Sequence, residues 1–180
     1  MKDPLVKGHP LHAMLTDVPV GTTVAAVTFD LLDWLTGNER WRFAARASLG
    51  VALGGGAASA LVGLWDYQAV PRDHPARATG ARHGVLNGAA LLALGASFWL
   101  RGRGRQREAL GFGALSAGFT LLLASSWLGG ELVFREGWRV TPAEHAEQLE
   151  ADLRQSGERE RIERAHRVVR EYETSHALLP

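Results

Sequence analysis

The sequence contains no cysteine among its 180 residues. This absence excludes disulfide bonds, cysteine-ligated zinc, iron–sulfur clusters held by this chain, covalently attached c-type haem and thiol catalysis. An excess of one charge is also lacking, because 20 Lys and Arg residues face 19 Asp and Glu residues and the formal net charge is +1. No overall field therefore favours nucleic acid as a partner.

Catalytic motifs are lacking as well. The sequence shows no phosphate-binding P-loop, no GxSxG nucleophile motif and no internal repeat. No residue is assigned a catalytic role, because no nucleophile and base stand together in a recognisable pattern. These features favour a protein without independent catalytic activity.

Long apolar runs are abundant in the first 140 residues. Three uncharged segments cover 47–65, 84–100 and 109–130, and a fourth segment at 18–35 carries acidic residues near its ends. A helix that crosses the hydrocarbon core of a bilayer needs about 20 residues, with about 17 as the lower limit. We therefore predict an all-α fold in which residues 1–140 form an antiparallel four-helix transmembrane bundle.

Small and aromatic residues in these segments fit a membrane location. Small residues recur every four positions, as in Ser48, Ala52, Gly56 and Ala60, and this spacing lets helices approach closely in lipid. Tryptophans fall near the segment ends, as in the aromatic belts at membrane interfaces. The predicted partners are the lipid bilayer and either other membrane subunits or a second copy of the chain.

The last 40 residues have a different character. Residues 141–180 contain a helix-start signal in Thr141-Pro142-Ala143-Glu144 and a favourable charge pair between Glu160 and Arg164. We predict a charged, amphipathic, extramembrane helical tail. Its narrow apolar stripe and excess of acidic residues favour docking on a protein surface over anionic lipid.

Polar residues far apart in sequence are predicted to meet at one end of the bundle. Short connections force an up-down-up-down topology, so the starts of helices 1 and 3 share a membrane face with the ends of helices 2 and 4. Ionisable groups near a membrane span are costly and by default indicate a functional site. The residues predicted at this end are His9, His12, Asp17, Asp66, Tyr67, Arg82, His83, Asn87, Trp127 and Glu131.

The histidines at this end have three open interpretations. His83 and either His12 or His9 have the topology of axial ligands to haem b, with Asn87 one turn after His83. Alternatively, His9, His12, His83 and Glu131 bind a transition metal. A third interpretation is a proton relay without metal. The remaining residues of the group, Asp17, Asp66, Tyr67, Arg82 and Trp127, would surround either site.

Asp17 also has a structural interpretation. Together with Val18 and Pro19 it is typical of a helix start. If the helix instead begins earlier, Pro19 should kink it and leave room beside His12.

Residues from about 5 to 140 resemble the bacterial membrane family known as domain of unknown function 2231. The resemblance rests on these motifs: Gly8-His9-Pro10-Leu11-His12-Ala13-Met14-Leu15, Asp17-Val18-Pro19 with Gly21, Asp30-Leu31-Leu32, Gly63-Leu64-Trp65-Asp66-Tyr67, His83 with Leu86-Asn87, and Gly129-Gly130-Glu131-Leu132-Val133-Phe134-Arg135. Ala13 stands where many members have a second proline, and Phe134 where tyrosine is common. The resemblance implies four membrane-spanning helices. Some relatives are joined to Rieske-type iron–sulfur domains, which implies a redox setting.

These observations predict a multi-pass protein of the bacterial cytoplasmic membrane, associated with electron transfer and binding haem b. The alternatives are a cofactor-free accessory subunit of a respiratory or photosynthetic complex and a metal-binding membrane protein. The arginine-rich run at 101–107 favours a cytoplasmic position for that loop and an outer position for both termini.

Overall fold

Four long helices form the first of two compact units, Met1–Glu136. The computed structural model describes residues 5–6, 9–101, 105–139, 150–155, 160–164 and 166–168. A two-residue antiparallel ladder pairs Leu5–Val6 with His9–Pro10 before the first helix. The helices are α1 (Leu11–Thr36), α2 (Glu39–Gln68), α3 (Ala76–Leu100) and α4 (Arg105–Gly130), and a π-helical turn at Glu131–Arg135 follows α4. The predicted all-α, antiparallel four-helix bundle is confirmed.

Each of the four helices is long and apolar enough to cross a membrane. The candidate spans are Leu11–Thr36, Glu39–Gln68, Ala76–Leu100 and Arg107–Arg135. Between 17% and 28% of the apolar window of each span is buried inside the bundle, so most of the apolar surface faces outward. Apolar exposure on this scale matches hydrocarbon and not water as the surrounding medium.

The bundle is built from two helical hairpins. α1 packs chiefly on α2, and α3 packs chiefly on α4. Gly37, in the left-handed region at φ 64°, ends α1, and the side chain of Asn38 caps α2 by accepting a hydrogen bond from the Arg40 amide at 3.1 Å. Leu49 and Leu94 are fully buried in the core between the hairpins.

Pro19 lies inside α1, which begins at Leu11, so the interpretation of Asp17 as a helix start is wrong. Asp17 is exposed in the second turn of the helix. Helix α1 begins directly after Pro10, which has an extended backbone conformation. Pro19 has no amide hydrogen, so α1 lacks one backbone hydrogen bond in its interior. The Pro19 ring packs where α2 lacks side chains: a Cβ on Gly55 or Gly56 would lie 3.4 or 3.6 Å from it.

A buried ion pair joins α1 to the end of α3, at the end of the bundle away from His12. Arg101 Nη1 and Nη2 donate to the two carboxylate oxygens of Asp30 at 2.6 and 2.5 Å, and the side chains are 3% and 9% exposed. Arg46 of α2 donates to the Arg101 carbonyl at 2.7 Å, and Ser97 links the same guanidinium to the Gly111 carbonyl of α4. All four helices are therefore tied together at this end.

The second compact unit is Gly137–Pro180. Residues 150–155, 160–164 and 166–168 are helical, and Ile162 is buried. A hydrogen bond from Arg154, one turn further on, holds the pKa of Glu150 below its ordinary value. The predicted helix start at Thr141-Pro142-Ala143-Glu144 lies outside the described residues, and the boundary at 140–141 stays a prediction.

Candidate functional site

His12, in the first turn of α1, is held by the facing helix α2. Its Nδ1 lies 2.9 Å from the Ser59 carbonyl oxygen and 3.3 Å from the Ser59 hydroxyl. One turn further along α2, the imidazole occupies the space beside Gly63, where an added Cβ would come within 2.7 Å of Cε1 and Nδ1. α2 therefore supplies both an acceptor for the ring and a gap that only glycine leaves open.

His83, in the second turn of α3, is held in the same way by α4. Its Nδ1 lies 2.8 Å from the Ser125 carbonyl oxygen and 2.9 Å from the Ser125 hydroxyl, which itself donates to the His83 carbonyl at 3.1 Å. Gly129 lies one turn after Ser125, and a Cβ there would be 3.3 Å from the ring Cε1. The amide nitrogen of Asn87 lies 3.0 Å from Nε2 of His83.

The two hairpins therefore repeat one arrangement, although the sequence shows no internal repeat. In each, a histidine near the start of the first helix binds a Ser-x-x-x-Gly motif near the end of the second helix. Both glycines belong to the motifs that carry the family resemblance, but sequence reasoning named neither serine and assigned neither glycine a contact with a histidine. The only available signal was the Ser-x-x-x-Gly spacing that the ends of α2 and α4 share. Two defined residues in each Gly-rich helix are too few to distinguish this motif from chance.

The imidazoles of the two hairpins meet within the bundle. Their ring centroids are 6.0 Å apart and their planes are inclined at 86°. The antiparallel topology therefore brings His12 and His83 to the same end, 71 positions apart in the sequence.

The hydrogen bonds assign the same tautomer to both rings. A backbone carbonyl can only accept, so Nδ1 of each histidine carries the proton and donates it. Nε2 is then the nitrogen with the free lone pair, and for His83 that lone pair accepts from the Asn87 amide. A carbonyl on Nδ1 that fixes the ring and leaves Nε2 as the ligating atom is the usual support of metal-binding histidines.

The carboxylate predicted as a metal ligand forms an ion pair with an arginine. Glu131 pairs with Arg135, one turn along the π-helical turn, at 3.3 Å. Within the described residues, no three His, Asp or Glu side chains are grouped so as to hold a metal ion. The side chain of His9 lies outside the described residues. The site that the structure does describe is therefore a pair of histidines.

The other predicted residues lie near the same ends of the helices. Asp66 is buried at the end of α2. The neighbouring Tyr67 ring lies 4.6 Å from the Arg77 guanidinium and packs against Gly80 at the start of α3. Arg82 and Asp17 are exposed, and Trp127 is 73% exposed. Tyr67 and Arg77 therefore fix the connection between the two hairpins, while Trp127 faces outward as an interfacial tryptophan would.

The fold and its apolar surface define a multi-pass membrane protein with four spanning helices. The chain belongs to the family described as Predicted membrane protein (DUF2231), whose family model matches residues 8–142. The match includes both hairpins and both histidines. A search of the curated proteins and a search of the solved structures found no match.

Proposed function

We propose that the protein binds haem b between His12 and His83 and serves electron transfer in the membrane. The observation that carries the proposal is the pair of imidazoles from separate hairpins, each with Nδ1 on a backbone carbonyl, at a centroid separation of 6.0 Å. Bonds from a first-row metal to imidazole are about 2.0–2.1 Å and the centroid lies about 1 Å behind the nitrogen, so two imidazoles that hold one iron would have centroids at most roughly 6 Å apart.

The absence of cysteine requires any haem to be held without covalent attachment. A metal site with three or four protein ligands has less support, because the described residues offer only two ligands at this point.

The chemistry divides between the cofactor and the chain. A bound haem supplies one-electron oxidation and reduction. His12 and His83 would hold the iron through Nε2, and the Ser59 and Ser125 carbonyls orient the two rings.

The test is a reduced-minus-oxidised optical spectrum of the full chain, expressed with ample haem and purified in detergent. We expect a Soret band and an α-band that are lost in His12→Ala and in His83→Ala. His166→Ala, in the C-terminal unit, is the matched control and should retain both bands. A wild-type spectrum without these bands would exclude the proposal, as would a His12→Ala variant whose spectrum equals that of the wild type.

A second candidate is a cofactor-free subunit of a larger respiratory or photosynthetic membrane complex. The observation in its favour is an exposed run of small residues on α2 that includes Ala47, Gly54 and Ala58, because small faces let neighbouring membrane helices approach closely. A protein that lacks the haem bands but migrates in a large complex from native membranes would support this candidate. A monomeric protein with intact haem bands would contradict it.

We also propose that the protein resides in the bacterial cytoplasmic membrane with the α3–α4 connection on the inner side. The support is the cluster Arg101, Arg103, Arg105 and Arg107. Because the chain has no native cysteine, a single cysteine at Arg107 or at Asp73 in the opposite loop can be labelled with a membrane-impermeant maleimide. We expect whole cells to label Asp73→Cys and not Arg107→Cys; the reverse pattern would invert the orientation.

A further inference from the structure

The two histidines differ in one respect. The ligating nitrogen of His83 is occupied, because the Asn87 amide donates to Nε2 at 3.0 Å from one turn along the same helix. At the corresponding position after His12 stands Thr16, whose hydroxyl donates to the Ala13 carbonyl at 2.7 Å. Within the described part of the chain, the hydrogen bonds of His12 are all made through Nδ1.

We propose that, in the cofactor-free protein, the Asn87 amide blocks Nε2 of His83. Nε2 of His12 is then accessible to a metal centre, and Nε2 of His83 is not. We call this block the closure of His83. The inference rests on the proposed function in that it concerns access to the same site. For His83 to bind a metal centre through Nε2, the Asn87 amide has to leave that nitrogen. Asn87 is therefore a positioning residue for His83, and not itself a ligand.

The effect of the closure on haem affinity can be estimated. A neutral hydrogen bond of this kind contributes modestly to stability, so the cofactor-free protein with Nε2 of His83 uncovered is a minor population. The apparent affinity of a ligand equals its intrinsic affinity multiplied by the fraction of protein that is competent to bind it. Removal of the amide is expected to raise the apparent affinity for haem about three- to tenfold.

The first experiment needs no haem. Diethyl pyrocarbonate reacts when an unprotonated imidazole nitrogen attacks one of its carbonyl carbons; the ring gains an ethoxycarbonyl group, and ethyl carbonate leaves and decomposes to ethanol and carbon dioxide. In the purified wild-type chain without cofactor, we expect His12 to be modified faster than His83, as read by peptide mass spectrometry. In Asn87→Leu, which removes the amide at similar volume, the rate at His83 relative to His12 should rise several-fold. An unchanged ratio would overturn the closure.

The second experiment titrates haem into the cofactor-free chain. We expect Asn87→Leu to bind about three- to tenfold more tightly than the wild type. Thr16→Val, the matched control at the corresponding position of α1, should bind as the wild type does. Equal or weaker binding by Asn87→Leu would contradict a guarding role.

The two experiments separate this inference from the proposed function. Suppose that neither the wild type nor Asn87→Leu binds haem, but His83 is modified faster relative to His12 in Asn87→Leu. This result would support the closure and contradict the haem proposal. Haem binding by both forms with an unchanged modification ratio would retain the haem proposal and remove the closure.

Discussion

Replacing Arg101 with methionine is expected to lower the free energy of unfolding by about 3–5 kcal/mol. The reason is the burial of its partner: the Asp30 carboxylate, 9% exposed, would lose both of its charge-assisted hydrogen bonds and remain inside the bundle without compensation. The Arg46 bond to the Arg101 backbone carbonyl can persist, since it does not use the lost side chain. Helical circular dichroism during denaturation in mixed detergent micelles measures the change.

Two further variants separate the burial of charge from the loss of packing. The double variant Asp30→Leu with Arg101→Met removes both charges and should recover most of the lost stability, because a buried ion pair can often be replaced by apolar side chains. Arg42→Met breaks the exposed pair with Asp33, in which Arg42 is 44% exposed, and should cost less than about 1 kcal/mol. An Arg101→Met protein as stable as the Arg42→Met protein would contradict the assignment of Arg101 as the tie between the helices.

Gly63→Ala is expected to weaken haem binding at least about tenfold, which corresponds to about 1.4 kcal/mol. The added methyl group would stand 2.7 Å from Cε1 and Nδ1 of His12, so the ring has to move and its hydrogen bond to the Ser59 carbonyl is lost. The free energy of unfolding should change little, because the preference for alanine over glycine inside a helix, roughly 0.5–1 kcal/mol, is offset by the lost His12 hydrogen bond, worth about 0.5–1.5 kcal/mol. A titration of haem and a thermal melt of the same preparation measure the two effects.

The chain offers matched controls for this substitution. Gly54→Ala lies on the same helix with nothing within 4 Å of the added Cβ, and it should leave haem binding unchanged. Gly129→Ala places its Cβ 3.3 Å from His83 and should give a smaller loss than Gly63→Ala. If Gly63→Ala and Gly54→Ala bind haem equally well, the imidazole of His12 is not seated against α2.

The coarse fold was predictable because each long apolar run has the length of a membrane span. Short connections then force alternating directions, and that alone predicts His12 and His83 at a shared end. The start of α1 was predicted too late, since Pro19 is a strong helix-start signal in water but is accommodated within a packed membrane helix.

The details of the site depend on relations that no single segment reveals. The supporting groups of both histidines are backbone carbonyls and glycine gaps on the facing helix, and their identity depends on the rotation of each helix about its axis. The Asp30–Arg101 pair was missed for a similar reason, because only the packed bundle shows the two side chains 2.5–2.6 Å apart.

Each hairpin orients its own histidine through contacts within that hairpin. The distance between the two rings, in contrast, depends on how the two hairpins pack against each other. Sliding or parting of the two halves would separate the rings while leaving every helix and every Nδ1 contact intact. If the pair binds haem as proposed, haem absorbance would be lost early when the protein is damaged, while the helical content is still native.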